Sequence, residues 1–185
     1  MARDILIVSD THAHLQRLNE VIAYRQNMLK EGEVLNLIFL GDGLADLFSC
    51  RKYDEIITYA VRGNCDGVNY YSPYGEEIPL YRVIVLGNYK IFMTHGHTLN
   101  VKYDRDEICR LAAMQNADIV LFGHTHVPTL EYIEKGSIRG VDRNLTLFNP
   151  GSVGDYEGSF GNLSLTDNEF LLSHGKYYNI IKSNK

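Results

Sequence analysis

The chain has 185 residues, of which 45% are hydrophobic and 22% charged, and it has only three cysteines, which excludes a disordered, collagen-like or disulfide-framework protein. Its formal net charge is -5 and it has no basic block, so long nucleic acid is not expected as a partner, because phosphate contacts supply most of a duplex binder's affinity. Without a spanning apolar run or a cleavable leader, we expect one cytoplasmic domain over residues 1–185 with no membrane partner.

The first part of the chain predicts a strand, a helix and a second strand. Ile5–Val8 is a continuous apolar run, typical of a strand that is covered on both faces. Apolar residues at helical spacing from Leu15 predict a crossover helix that stops at Gly32. The second strand is predicted over Val34–Leu40, and because such units are parallel and right-handed, both strands should end at the same edge of the sheet.

The pattern in the middle of the chain predicts four further strands, a short amphipathic piece and a second helix. Glycine and asparagine between two of the strands favour a hairpin, and a capping-box pair, Asp104 and Glu107, favours a helix start. The predicted elements are a short amphipathic piece over Leu44–Tyr53, a strand over Ile56–Val61, hairpin strands over Leu80–Leu86 and Lys90–Thr94, a helix over Asp104–Asn116 and a buried strand over Asp118–Phe122.

The last third of the chain predicts antiparallel strands that together form a second sheet. Its apolar residues alternate with polar ones, and Gly, Asn and Asp separate the runs. The predicted strands are Thr129–Ile133, Leu145–Phe148, Leu163–Leu165, Phe170–Leu172 and Tyr177–Ile181.

Side chains with nitrogen or oxygen donors follow five of the predicted strands. A His-x-His pair alone is a weak signal, but donors at five strand ends favour one shared site, since open α/β sheets bind ligands where their strands end. The seven donors are Asp10, His12, Asp42, Asn64, His95, His124 and His126.

Carboxylate, amide and imidazole donors suit Mn, Fe, Co, Ni or Zn more than a closed structural zinc site. Seven donors are too many for one tetrahedral ion, whereas two ions about 3.5–4 Å apart, bridged by a carboxylate, would use all of them and leave room for water and substrate. Two divalent ions also outweigh two aspartates and one hydroxide, so such a site would attract a phosphate group.

These residues resemble the motif series of the calcineurin-like metallophosphoesterases, and the short chain is similar to their small bacterial and archaeal phosphodiesterases, the YfcE-like group. The resemblance implies a four-layer α/β/β/α sandwich of two mixed sheets flanked by helices. Phe148–Ser152 is similar to the family's closing turn beside the metals. The five blocks that carry the resemblance are Ser9-Asp10-Thr11-His12, Gly41-Asp42, Gly63-Asn64-Cys65-Asp66, Thr94-His95-Gly96-His97 and Gly123-His124-Thr125-His126.

The resemblance also implies ligand sets and a reaction. One ion would be held by Asp10, His12, Asp42 and His126, and the other by Asp42, Asn64, His95 and His124, with Asp42 as the bridge. A hydroxide bridging the two ions, with Mn²⁺ as the first candidate, would hydrolyse a small phosphodiester. The catalytic residues implied are Asp42, Asn64, His95 and Asp66.

One position departs from the family pattern, and several roles stay open. Many members have a histidine at the position of Cys65, so protonation of the leaving group falls to water or to Asp66. A phosphomonoesterase, or a catalytically weak scaffold such as the retromer subunit of this fold, is the alternative function. His97 could contact substrate or simply lie in a loop, and a homo-oligomer is left open. The aromatic residues Tyr70, Tyr71 and Tyr74 could stack on substrate or pack against the protein.

Overall fold

The first strand, β1 (Arg3–Val8), lies in the middle of a five-stranded sheet, and its residues Ile5–Val8 are buried on both faces. In the computed structural model, which describes residues 3–183, these residues form ten strands and four helices. In chain order the elements are β1 (Arg3–Val8), α1 (Leu15–Gln26), β2 (Asn36–Phe39), α2 (Leu44–Ser49), β3 (Ile57–Ala60), β4 (Tyr81–Leu86), β5 (Tyr89–Thr94), α3 (Asp106–Met114), β6 (Ile119–Leu121), β7 (Thr129–Ile133), β8 (Leu145–Asn149), β9 (Ser159–Leu165), β10 (Phe170–Lys176) and α4 (Tyr177–Ser183).

Two mixed sheets form the two inner layers. The first has the strand order β10-β9-β1-β2-β3 and the second the order β4-β5-β6-β8-β7. Alternate residues of β1 separate the layers: Ile5 and Ile7 face the core between the sheets, while Leu6 and Val8 face the helices α1, α2 and α4. Helix α3 covers the second sheet. The predicted four-layer sandwich is therefore confirmed.

The early topology agrees with the sequence prediction. Strand β1 pairs in parallel with β2, and β2 pairs in parallel with β3, with α1 and α2 as the connections. Strands β4 and β5 form an antiparallel hairpin through Gly87, which has a φ of 60°, and Asn88. The long-range hydrogen bond from the Asp10 N–H to the Gly41 carbonyl (3.0 Å) then joins the loops after β1 and β2.

The prediction that the late strands form the second sheet among themselves is wrong. Strands β9 and β10 are antiparallel additions to β1 in the first sheet, and β8 is parallel to β6 in the second. Residues Tyr177–Ile181, predicted as a strand, belong to helix α4. Tyr177 and Ile180 are both buried in the core cluster that includes α1, and their spacing of three places them on one face of a helix, whereas in a strand they would point to opposite faces.

The end of the first helix and the start of helix α3 also differ from the prediction. Helix α1 ends at Gln26, well before Gly32, and Met28 beyond its end is exposed. Helix α3 begins at Asp106, whose N–H donates to the Asp104 carboxylate (3.1 Å), so the predicted capping box does not form.

All three cysteines are free thiols, as expected for a chain without a disulfide framework. Within residues 3–183, no helix combines the length and apolar character that crossing a membrane requires.

We predict that Phe148→Ala lowers the free energy of unfolding by about 3–5 kcal/mol, because it removes a fully buried ring between the sheets. The Phe148 ring stacks on His174 of the opposing sheet with centroids 4.4 Å apart, so the loss leaves a cavity between the two sheets. Urea unfolding measures the change, with Leu171→Ala on the exposed face of β10 as the control. A loss of less than about 1 kcal/mol would mean that this core is not tightly packed.

Candidate metal centre

The candidate ligands lie in sharply turned loops at the ends of strands. Five of the seven have a positive φ, a conformation that costs side-chain-bearing residues about 1–3 kcal/mol and persists only when the surroundings hold it. These are Asp10 (54°), His12 (45°), Asp42 (56°), His124 (66°) and His126 (60°). The concentration of such residues in this one place indicates loops shaped for a site.

One group of donors is formed by Asp10, His12 and His126, whose donor atoms lie within 4.8 Å of one another. Asp10 is fully buried, and its Oδ2 accepts hydrogen bonds from the Ser9 hydroxyl (2.5 Å) and the His124 N–H (3.1 Å). Its Oδ1 has no well-aligned donor among the described residues and faces Nε2 of His126 (3.2 Å) and of His12 (3.6 Å). The two Nε2 atoms are themselves 3.1 Å apart. A cation fits among these lone pairs.

The second group is formed by Asp42, His95 and His124, again within 4.8 Å of one another, and Asn64 lies beside it. Nδ1 of His95 lies 2.7 Å from the Leu40 carbonyl, so the imidazole proton belongs there. Nε2 of His95 then faces two oxygens, Oδ2 of Asp42 (3.3 Å) and Oδ1 of Asn64 (3.2 Å). Either a further proton or a cation is required among these acceptors.

Asp42 reaches both groups. Its Oδ2 lies 3.9 Å from Nε2 of His12 and 3.3 Å from Nε2 of His95. Asp10 Oδ1 is also 4.0 Å from Nε2 of His95. The structure thus brings all seven predicted donors to one place, in two adjoining groups with Asp42 between them.

The electrostatics of the cluster keep its carboxylates ionised. Burial opposes ionisation of Asp42, but its contact with His95 outweighs burial and lowers the pKa of Asp42 to about 2. The pKa of Asp10 is also lowered, because its contacts with His12 and His126 outweigh burial. Contact with Asp10 in turn raises the pKa of His126 to about 9, and a bound cation would displace that proton. Burial and the neighbouring His95 lower the pKa of His124 to about 4, which leaves that imidazole neutral.

Asp66 is turned towards the backbone. Its Oδ2 accepts the N–H groups of Asp42 and Gly63, and its Oδ1 accepts those of Gly43 and Leu44, all at 2.8 Å. Because both oxygens already accept two hydrogen bonds, no lone pair remains for a proton that could be donated. The geometry therefore argues against Asp66 as the acid. It joins the loop that carries Asp42 to the loop that carries Asn64.

Two glycines are required by close approach. A Cβ on Gly63 would lie 2.1 Å from Oδ1 of Asp42, and a Cβ on Gly123 would lie 2.1 Å from the Ser9 hydroxyl oxygen. Each glycine precedes a candidate ligand, Asn64 or His124, and lets that loop press against the loop that carries an aspartate. The close packing of these loops therefore explains why glycine is needed at Gly63 and Gly123.

Cys65 lies at the edge of the cluster. Its N–H donates to Oδ1 of Asp42 (2.7 Å), and its exposed thiol lies 3.2 Å from Nδ2 of Asn64. Partial burial, together with Asp42, raises the pKa of Cys65 to about 11, so the group is a neutral thiol. It is also within 4.8 Å of donor atoms of His12 and Asp42.

The other residues singled out from the sequence have mixed positions. The His97 ring lies 5.4 Å from that of His95 and 6.1 Å from that of His124, which places it beside the second group. Tyr70 stacks on Phe48 (5.9 Å) and Tyr74 on Tyr53 (6.3 Å), so these two take part in packing. Tyr71 is half exposed in an isolated bridge with Glu77.

Three polar residues that support the site were missed in the sequence. The Thr11 hydroxyl donates to Asp46 (2.5 Å), and the Asn149 amide donates to the Gly123 carbonyl (2.8 Å). Oδ1 of Asp155 lies 3.0 Å from Nδ1 of His126. Asp46 and Asp155 lie outside the strand-end blocks, and Asn149 lies in the closing turn without a role that the sequence reveals, so only the folded contacts identify these three residues.

Comparison with known proteins agrees with this geometry. Residues 4–169 match the calcineurin-like phosphoesterase superfamily domain. The phosphodiesterase YfcE of Escherichia coli K12 is 30% identical over 182 residues, which cover 90% of this chain and 89% of that protein.

Two solved structures share the fold. A predicted phosphoesterase from Streptococcus pneumoniae superposes with a TM-score of 0.70 at 23% identity, covering 96% of this chain and 91% of that one. Vacuolar protein sorting 29 from Cryptosporidium parvum has a TM-score of 0.62 at 18% identity, covering 95% and 97%. With the domain match over most of its length, the chain belongs to the calcineurin-like phosphoesterase superfamily.

Proposed function

We propose that the protein is a phosphodiesterase that depends on two divalent cations bound at this centre. One observation carries the proposal: two groups of carboxylate and imidazole donors adjoin each other, and Oδ2 of Asp42, a member of the second group, also lies 3.9 Å from Nε2 of His12 in the first. The similarity to a protein named as a phosphodiesterase supports the substrate class.

The proposed ligands are those implied by the sequence blocks. Asp10, His12, Asp42 and His126 would hold one ion, and Asp42, Asn64, His95 and His124 the other. When bound, such a pair of ions supplies a hydroxide nucleophile, polarises the phosphoryl oxygens and orients the diester. Mn²⁺ is our first candidate, and Fe, Ni, Co and Zn accept the same donors.

The residues of the chain prepare the centre before substrate arrives. The Leu40 carbonyl fixes the ring of His95, and the bond from the His124 N–H to Asp10 ties the loop after β6 to the loop after β1. Because these contacts involve buried groups, the donors need little rearrangement to bind cations. The hydrogen bonds that Asp66 accepts from backbone N–H groups fix the loop that carries Asp42, and we assign Asp66 a positioning role.

Neither of the two residues considered as the acid, Asp66 and Cys65, is suited to protonate the leaving group. Asp66 has no free lone pair, and Cys65, with a pKa of about 11, is only a weak hydrogen-bond donor. We therefore assign this proton to solvent water. The absence of a histidine at the Cys65 position also favours a diester over a monoester substrate.

A catalytically weak scaffold is the alternative from another class of protein. The likeness to vacuolar protein sorting 29 concerns the fold alone, at 18% identity. In this chain, all seven candidate ligand positions carry a residue that can bind a cation. The cytoplasmic location stays a prediction, and the oligomeric state stays open.

Metal restoration tests the proposed function. We expect metal-stripped protein to be inactive and to regain hydrolysis of bis-p-nitrophenyl phosphate with Mn²⁺, at a kcat/KM at least about tenfold above that for p-nitrophenyl phosphate, a difference of about 1.4 kcal/mol. Each other divalent ion is restored in turn. Faster hydrolysis of the monoester would favour a phosphomonoesterase, and no hydrolysis with any ion would favour the scaffold.

We predict that Asp42→Asn lowers kcat/KM for the diester by at least about 10³-fold and reduces the bound Mn²⁺, because the neutral amide is a poorer ligand for both ions. Elemental analysis after dialysis measures the metal content. The matched control is Asp142→Asn, which makes the same chemical change at an exposed position. Wild-type rates with full metal content would contradict the bridging role of Asp42.

We predict that Asp66→Asn lowers the free energy of unfolding by about 2–4 kcal/mol, because an amide cannot accept all four backbone N–H bonds. The diesterase rate should fall by the same factor for a p-nitrophenol and for an aliphatic alcohol as leaving group. Steady-state kinetics on both diesters measures this. A much larger loss for the aliphatic alcohol would show that Asp66 supplies the proton after all.

A further inference from the structure

A carboxylate contacts the outer nitrogen of one candidate ligand, His126. Oδ1 of Asp155 lies 3.0 Å from Nδ1 of His126, while Nε2 of the same ring lies 3.2 Å from Oδ1 of Asp10. We propose that Asp155 is a positioning residue that fixes the tautomer and orientation of His126 for one of the two cations. This inference rests on the proposed function.

The chemistry of the two ring nitrogens supports this role. An ionised carboxylate only accepts hydrogen bonds, so the proton of a neutral His126 ring lies on Nδ1, and Nε2 presents its lone pair to the cluster. A carboxylate partner also raises the basicity of a metal-bound imidazole, and loss of such a partner typically weakens metal binding by about 10–100-fold. Asp155 therefore contacts Nδ1 of His126 in the same way as the Leu40 carbonyl contacts Nδ1 of His95.

The position of Asp155 is set by its backbone. The Asp155 N–H donates to the Ser152 hydroxyl (3.1 Å), which itself donates to the Asp10 carbonyl (2.8 Å). The Gly154 N–H donates to the same carbonyl (3.0 Å). The residue that orients His126 is therefore tied to the loop that carries Asp10, the carboxylate that His126 faces.

Arg17 holds the same turn from helix α1. Its guanidinium donates to the carbonyls of Val153 (3.2 Å) and Gly154 (3.2 Å) and to that of Asp155. Among the described contacts, it binds the carbonyl of Asp155 and not the carboxylate, which stays directed at His126. The guanidinium also lies over the Tyr177 ring of α4, 5.0 Å from the centroid, and the Tyr177 hydroxyl donates to Glu20. Helices α1 and α4 thus support the backbone of the turn that carries the half-exposed Asp155 carboxylate.

A plain surface ion pair is the competing explanation, since exposed pairs contribute about 0–1 kcal/mol and need no function. The two explanations differ in what they predict for metal binding. A surface pair affects only the stability of the loop, whereas a positioning residue affects one cation and leaves the other unchanged.

Calorimetric titration of the metal-stripped full chain with Mn²⁺ separates the two explanations. We expect wild type to bind two ions, and Asp155→Ala to bind one of them about 10–100-fold more weakly with the other unchanged. Asp155→Asn keeps an acceptor oxygen and should recover most of the loss. The matched control is Glu157→Ala, which removes the same charge two residues away, where the carboxylate pairs with Lys176 (3.2 Å).

The outcomes distinguish this inference from the proposed function. If wild type binds two ions and hydrolyses the diester but Asp155→Ala binds both ions as wild type does, only the positioning role is overturned. An equal weakening of both ions, or an equal effect of Glu157→Ala, also overturns it in favour of a general effect of loop stability or charge. If wild type binds no pair of ions, the proposed function fails and the positioning role fails with it.

Discussion

The structure depends on a concentration of acceptor atoms that requires protons or cations between its members. Two buried carboxylates, Asp10 and Asp42, face the ring nitrogens of several histidines at distances of 3.2–4.0 Å. Lone pairs this close repel one another unless protons or cations lie between them, and desolvation strengthens that repulsion. The raised pKa of His126 and the lowered pKa of Asp42 are two consequences of this constraint.

The fold supports this cluster through backbone hydrogen bonds between the loops. The loops after β1, β2, β3, β5 and β6 meet at this one site, and five of their seven candidate ligands have a positive φ. Asp66 joins two of these loops through four N–H groups, and Ser152 and Asn149 hold two others. Because such conformations are costly in isolation, this network of hydrogen bonds is what holds the donors in their arrangement.

The sequence predicts the parts of the fold that local pattern determines. Continuous apolar runs identify β1, β2 and β6, and donors placed directly after such runs identify the site, because parallel topology brings strand ends together. Alternation of apolar and polar residues does not specify a pairing partner, which is why β9 and β10 were assigned to the wrong sheet. The segment Tyr177–Ile181 is too short for its apolar periodicity to distinguish a helix from a strand. The supporting contacts of Asp66 and Asp155 join distant segments, so no local pattern reveals them.

The central claim is that this cluster holds two cations that share Asp42. Anomalous diffraction from crystals grown with Mn²⁺ tests it most directly. The account predicts two peaks about 3.5–4 Å apart, with Asp42 contacting both, His126 on one and His95 on the other. A single peak, or none among these side chains at saturating Mn²⁺, would contradict it.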